Sequence, residues 1–391
     1  MNKTRNVMFG ILGLFLVALL IAGCSNNTNS NTGTGPTGQA VASQPAKAQE
    51  PIKFGIIMPL TGDAASIGQS VVNAVNLAAD EINANGGIDG RQVQIIAEDG
   101  KCDGKDAVDA MNKLVSVDNV KYIVGAGCSA ETLAVAPIAE ANKIVMISPA
   151  SSNPAITNSG DYIFRDYPSD TLAGDFDAKY LYNNGAKSVA VAECQSDYCT
   201  GLADVFIKSY TALGGKIVFH ESYPRDVTDM RTILSKIRDA NPDAIYMPSY
   251  TESTVLAFKE AKELGIPSDK FFGGDAWDDP TIWSQTQGVS DGAQYTVVGA
   301  DVPQEFKQKF AAKYGADAAL TLGATQGYDA LYIFKNAIEQ AGDNPEAVKD
   351  ALYNVQGYKG YSGTISFDSN GDMKESQYTL MVIKDGKAVK E

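Results

Sequence analysis

From residue 53 onward, apolar strand-like runs alternate with amphipathic helical runs, and this alternation stops and restarts once. Such a rhythm requires parallel sheets with helices on their faces, because each strand must return to the same edge through a crossover. Strands are expected at 53–60, 93–97, 122–126 and 144–148, with helices at 68–83, 105–116 and 131–141 between them. A second set follows a helix at 171–183. Its strands fall at 188–192, 216–220, 244–248 and 270–273, and its helices at 202–213, 227–238 and 253–264. Helices at 303–314, 325–340 and 345–355 come next, then a hairpin-like tail with strands near 364–367 and 378–383. Asn85-Gly86-Gly87 and Asp89-Gly90 mark the first crossover, where a helix must stop and the chain turn.

The region carrying this rhythm, about 51–391, is longer than one core usually supports, so two domains are expected. Open parallel sheets gather their ligand-holding loops at the carboxyl ends of the strands, and two such lobes face to face make a cleft.

Ahead of it lies a basic start (Lys3, Arg5), an apolar run over 7–22, and then Gly23-Cys24. The run is short for a spanning helix and has the order of an export signal. A cysteine directly after small residues resembles the bacterial lipobox, which implies cleavage after residue 23 and a lipid on Cys24. Residues 25–50 hold hardly any large apolar side chain and read as a disordered tether. The formal charge of −15, more negative still without Lys3 and Arg5, argues against nucleic acid or an anionic bilayer as a partner.

Four further cysteines, Cys102, Cys128, Cys194 and Cys199, suit an exported chain with disulfides. Three pairings are possible, the simplest joining sequence neighbours. Zinc is disfavoured because there is no CxxC pair and His220 is the only histidine. Enzyme motifs are equally absent: no GxGxxG after the first strand, no GxxxxGK[ST] and no GxSxG. Gly125-Ala126-Gly127-Cys128-Ser129 offers a serine, but His220 lies on an alternating strand pattern with no acid at a recognisable station. Asp278-Asp279 before Pro280 reads as a solvated turn. No cofactor is expected, and up to this point no residue pattern separates an enzyme from a binder.

Several strings carry a family likeness: Pro59-Leu60-Thr61-Gly62, Ile82-Asn83-Ala84-Asn85-Gly86-Gly87, Val124-Gly125-Ala126-Gly127-Cys128-Ser129, Ile147-Ser148-Pro149-Ala150-Ser151-Ser152, Tyr162-Ile163-Phe164-Arg165 and Gly273-Gly274-Asp275. In number and order they resemble the periplasmic leucine/isoleucine/valine-binding proteins, the extracytoplasmic receptors of branched-chain amino acid ABC transporters. The resemblance implies a type I periplasmic-binding fold: α/β, two doubly wound parallel-sheet lobes joined by three crossovers. Lobe one would hold 52–170 and 299–357, lobe two 171–298 and 358–391, with hinges near 168–172, 297–300 and 356–360. It pairs Cys102 with Cys128. Cys194 and Cys199 fall outside the shared pattern, as a local clamp beside Tyr198 or two free thiols.

The resemblance also implies the ligand set. Ser129 would take an α-carboxylate, which agrees with its place before an expected helix. Ser152, in place of the family threonine, and Ala150 would hold the amino acid backbone, with Ser151 between them. Asp275, in place of a glutamate, would meet the α-ammonium from the second lobe. Tyr198, Tyr250, Ile67 and Trp277 would surround an apolar side chain. The implied activity is binding of a neutral L-amino acid, branched-chain preferred, by a monomer that closes and delivers it to an ABC permease. Rival readings are a binder of short amides, urea or small carboxylates, and a receptor for a signalling partner.

Overall fold

The computed structural model describes residues 49–299 and 302–391, so the signal segment, Cys24 and nearly all of the tether lie outside the described residues. Lobe one is built from β1 (Ile52–Met58), α1 (Ala65–Ala84), β2 (Val93–Asp99), α2 (Gly104–Ser116), β3 (Tyr122–Gly125), α3 (Ser129–Asn142), β4 (Val145–Ser148) and β5 (Ile163–Arg165). Its strands run parallel in the order β2-β1-β3-β4-β5. β1 is buried at nearly every position because helices cover both faces.

Lobe two begins with α4 (Asp170–Asn183) and continues through β6 (Ser188–Cys194), α5 (Asp197–Ala212), β7 (Lys216–Tyr223), α6 (Arg231–Ala240), β8 (Ala244–Tyr246), α7 (Thr251–Glu263), β9 (Phe271–Gly273), α8 (Pro280–Thr286) and β10 (Gln294–Val298). The chain then returns to lobe one with α9 (Gln304–Tyr314), α10 (Ala324–Ala341) and α11 (Pro345–Tyr353). A small ribbon of β11 (Tyr358–Gly360) and β12 (Gly363–Ile365) follows, and β13 (Tyr378–Lys384) and β14 (Lys387–Lys390) end the chain. The lobe-two sheet has the order β14-β13-β10-β9-β8-β6-β7, parallel except for the last two strands in sequence, which pair antiparallel.

Both lobes are therefore wound as expected, but the third crossover is not where the sequence put it. Residues 358–373 belong to lobe one, and only β13 and β14 join lobe two. Phe367 packs edge-on against Phe164 at 5.3 Å, in the core that contains Phe54 and Phe334. Arg165, with its side chain 1% exposed, closes a two-pronged ion pair with Asp372, Nε–Oδ1 2.6 Å and Nη2–Oδ2 2.8 Å. Its backbone N–H donates to the Gly371 carbonyl. Gly371 has φ +77°, and a Cβ there would press on the Ile163 carbonyl at 2.6 Å, so the turn needs glycine. The hinge strand thus follows this turn, near residue 377, and not near 356–360.

Candidate functional site

The lobe-one half of the site grows from the ends of β1, β3 and β4. Gly127 lies so close to Met58 and Pro59 that a Cβ would collide with both, which lets the β3 exit pass under the β1 exit. The Cys102–Cys128 disulfide, Cα–Cα 5.2 Å, ties this turn to the loop after β2. Glu131 fixes the same corner, with Oε2 accepting from the Cys128 N–H and Oε1 from the Cys102 N–H, both at 2.8 Å. Burial pushes its carboxyl up to about 7.

Ser129 is the first residue of α3, one position inside the helix that the sequence placed two residues later. Its Oγ accepts from the Ser152 and Asn153 N–H groups at 3.3 and 3.2 Å, joining the start of α3 to the loop after β4. The hydroxyl of Ser151 is instead committed inward, to the Ala126 carbonyl at 3.0 Å and Thr132 at 2.8 Å, so this side chain does not face the cleft.

From lobe two comes Asp275, in the turn after β9, 6% exposed. Both its oxygens are held by phenols: Tyr167 donates to Oδ2 at 2.6 Å and Tyr198 to Oδ1 at 2.8 Å. A second carboxylate, Asp170 at the start of α4, accepts from the Ser152 hydroxyl at 2.9 Å. Burial lifts the Asp170 carboxyl well above its ordinary range, and the Asp275 charge lifts it further; burial raises Asp275 as well. Two carboxylates this deeply buried favour one proton or one cation between them.

Between the lobes lies a cavity of about 30 Å³ whose walls include Ile67, Ser129, Ala150, Tyr198, Tyr250 and Asp275, with Leu322 added from the segment before α10. The Tyr198 and Tyr250 rings sit 5.4 Å apart, centroid to centroid. A wider depression of about 710 Å³ beside α9, β10 and β13 reaches Tyr167 and Asp275 from outside.

Trp277 does not reach the site. It is fully buried in the lobe-two core, edge-on to Phe258 at 5.2 Å, with Nε1 donating to Ser249 Oγ at 2.8 Å. Cys194 and Cys199 form a disulfide, Cα–Cα 5.5 Å, around the turn that carries Tyr198. Asp278 and Asp279 are also not the solvated pair expected. Asp278 accepts from the Tyr295 hydroxyl at 2.9 Å, and Asp279 caps α8 and accepts from Thr251 at 2.7 Å. His220 sits 3.0 Å from Glu193, on a strand at the edge of the lobe-two sheet and away from the cavity walls. Sequence reasoning missed Tyr167, Asp170 and Leu322. Asp170 follows Ser169 and looks like an ordinary first-turn acid of a helix; only the third dimension sets it against Asp275.

The cavity sets the Ser129 hydroxyl, at the start of a helix, against the phenol-held Asp275 carboxylate, with apolar walls between them. The fold defines a two-lobed α/β binding protein. A family model described as periplasmic binding protein matches residues 51–388, and the chain belongs to that family. It is 28% identical over 343 residues to the leucine-, isoleucine-, valine-, threonine- and alanine-binding protein of Pseudomonas aeruginosa, covering 85% of this chain and 90% of that one. A leucine-binding protein from Thermotoga maritima superposes with a TM-score of 0.80 at 29% identity, over 87% of this chain and 97% of the other. The branched-chain amino acid transporter substrate-binding protein of Streptococcus pneumoniae, solved with isoleucine, gives a TM-score of 0.78 at 28% identity, over 87% of this chain and all of the other. The matched relatives are binding proteins.

Proposed function

We propose that this chain is the extracytoplasmic receptor for a neutral L-amino acid, branched-chain side chains preferred, and that it delivers the ligand to an ABC permease. The observation that carries the reading is Asp275, held by two phenols across the cavity from Ser129 at the start of α3. A zwitterion satisfies both ends at once. Its carboxylate meets the Ser129 hydroxyl and the free N–H groups of the first helical turn. Its ammonium meets Asp275, with Asp170 behind Ser152 and the Ala150 carbonyl as further acceptors. Ile67, Tyr198, Tyr250 and Leu322 leave an apolar pocket for the side chain, where single methylenes change affinity only modestly.

The cavity has room for about two water-sized spheres. An amino acid therefore docks while the lobes stand further apart, and the lobes then close around it in the same pairing, with the pocket side chains displaced to make room. The same reading has Cys24 carrying a lipid that holds a monomeric receptor near its permease. Calorimetry on ligand-stripped protein with the twenty amino acids, urea and short amides is the test. Micromolar or tighter binding confined to apolar L-amino acids is expected. Binding of amides or urea with no zwitterionic amino acid recognised would overturn the proposal.

A further inference from the structure

We propose that Arg225 and Asn153, aided by Asp63, form a clasp across the cleft that never touches the ligand and sets the share of affinity common to every ligand. The inference rests on the reading above that binding proceeds through lobe closure, and it adds to it the residues that set the closing equilibrium.

Three sets of hydrogen bonds join the lobes around the cavity rim. On one side Arg225, just after β7 of lobe two, donates from Nη1 to the Cys102 carbonyl and from Nη2 to the Lys101 carbonyl at 3.4 Å. Both acceptors belong to the loop stapled by the Cys102–Cys128 disulfide, immediately behind Ser129. Close by, Asp63 in the lobe-one turn before α1 accepts through Oδ1 from the N–H groups of Glu252 and Ser253 at 2.9 and 3.4 Å. Those donors are the free N–H groups at the start of α7, so a lobe-one carboxylate caps a lobe-two helix. On the other side the Asn153 amide of lobe one donates to the Asp197 carbonyl at the start of α5. Asn153 lies against Gly201, where a Cβ would run into its amide.

None of these three side chains is among the walls of the cavity. All three contacts span two bodies that separate when the cleft opens, so their free energy counts only toward the closed form. Observed affinity is intrinsic affinity scaled by the population competent to hold ligand, and contacts that favour closure scale it equally for all ligands. Arg225 also stands over the Tyr250 ring at 5.4 Å from its centroid, and Tyr250 does line the cavity. The clasp is therefore distinguishable from a specificity device only by comparing ligands.

The test measures dissociation rates of three apolar amino acids, for example alanine, valine and leucine, from the wild type, Arg225→Ala, Arg225→Lys, Asn153→Ala and the Arg225→Ala/Asn153→Ala double variant. Thermal melts establish that each variant folds. Expected is a rise in dissociation rate of about tenfold in each single alanine variant, equal across the ligands within about threefold, with association rates little changed. Arg225→Lys keeps one donor for the Cys102 carbonyl and should recover part of the loss. Unchanged dissociation in Arg225→Ala or Asn153→Ala overturns the clasp, and so does a change in the ratio between ligands beyond threefold. Small-angle scattering of the ligand-free proteins gives an arm that needs no ligand: the double variant should be more extended than wild type, and equal radii of gyration overturn the proposal. If no amino acid binds the wild type, the functional reading fails while the scattering comparison still decides the clasp.

Discussion

Tyr167 donates a 2.6 Å hydrogen bond to Asp275 Oδ2, and so the loop between β5 and α4, where the chain first crosses from lobe one to lobe two, holds one oxygen of the buried carboxylate opposite Ser129. The other oxygen belongs to Tyr198 at 2.8 Å. Asp275 is therefore aimed before any ligand arrives. Asp275→Asn keeps one acceptor but removes the charge, and Asp275→Ala removes both. Loss of the partner of a buried ammonium should weaken amino acid binding by about 2–5 kcal/mol, with Asn at the low end. Titration calorimetry checks this. An Asp275→Ala protein that binds within threefold of wild type would place the ammonium elsewhere.

Tyr167→Phe deletes one donor and leaves the ring in place. The carboxylate keeps Tyr198 but gains freedom to turn, and a hydrogen bond to a charged group is worth about 1.5–3 kcal/mol. A rise in Kd of about ten- to 150-fold is expected, without loss of folded protein in a thermal melt. Tyr198→Phe should cost more, because the same ring also packs against Tyr250 in the cavity wall.

Much of this was legible in the sequence. The alternation of apolar strands with amphipathic helices is a local signal, and it recurs twice, so two parallel-sheet lobes followed from it. Ser129, Ala150, Tyr198, Tyr250, Asp275 and Ile67 share the walls of one small cavity between the lobes. What failed depended on direction or on distant partners. Ser151 and Ser152 are neighbours with opposite fates, one hydroxyl turned to Ala126 and the other to Asp170. Trp277 stands two residues past Asp275, but a short helical turn carries it back over Gly273 and into the core. Tail residues 358–373 were assigned to the wrong lobe because the bond that decides the matter, Arg165 to Asp372, spans 207 residues.

Trp277→Ala should therefore damage stability and leave ligand preference alone. The indole is 0% exposed, packed on Phe258 and bonded to Ser249. Truncating a buried aromatic of this size costs about 3–5 kcal/mol. Chemical denaturation reads the loss, and the ratio of leucine to alanine affinity at a temperature where the variant is folded should match wild type. A shift in that ratio would restore Trp277 to the pocket.

Asp177 gives a pH prediction with a definite sign. It is buried in lobe two, where Oδ2 accepts from Tyr246 and Oδ1 from Thr296 at 2.8 and 2.9 Å. Burial pushes its carboxyl up to about 8 from an ordinary value of 3.8. The folded state thus holds a proton that the unfolded chain has released, so this group's contribution is fully present below about pH 4 and is lost as pH rises toward about 8. Asp177→Asn should remove a slope of up to about 1.4 kcal/mol per pH unit from unfolding free energy across that window. Parallel wild-type and variant slopes between pH 5 and 8 would mean that the carboxylate stays ionised in the fold.

The Cys194–Cys199 disulfide makes the last prediction. It closes a loop of sequence separation 5 that contains Ser196, Asp197 and Tyr198. Closing so short a loop restricts the unfolded chain less than a long one does, so the global stability gained is at the small end of the usual range. Its larger effect falls on the native loop. Ser196 already caps α5 through the Cys199 N–H at 3.1 Å, and Tyr198 stands between the two cysteines with its hydroxyl on Asp275. Opening the bond frees the turn that aims this phenol and that presents the Asp197 carbonyl to Asn153. A Cys194→Ser/Cys199→Ser variant should unfold within a few degrees of wild type yet release amino acid several-fold faster. Cys102→Ser/Cys128→Ser, by contrast, opens a loop of separation 26 that supports Ser129 and should lower the melting temperature markedly. Stopped-flow dissociation beside calorimetric melts separates the two effects. Equal melting losses in both pairs, with unchanged release from the Cys194/Cys199 variant, would show that the short bridge serves the fold and not the site.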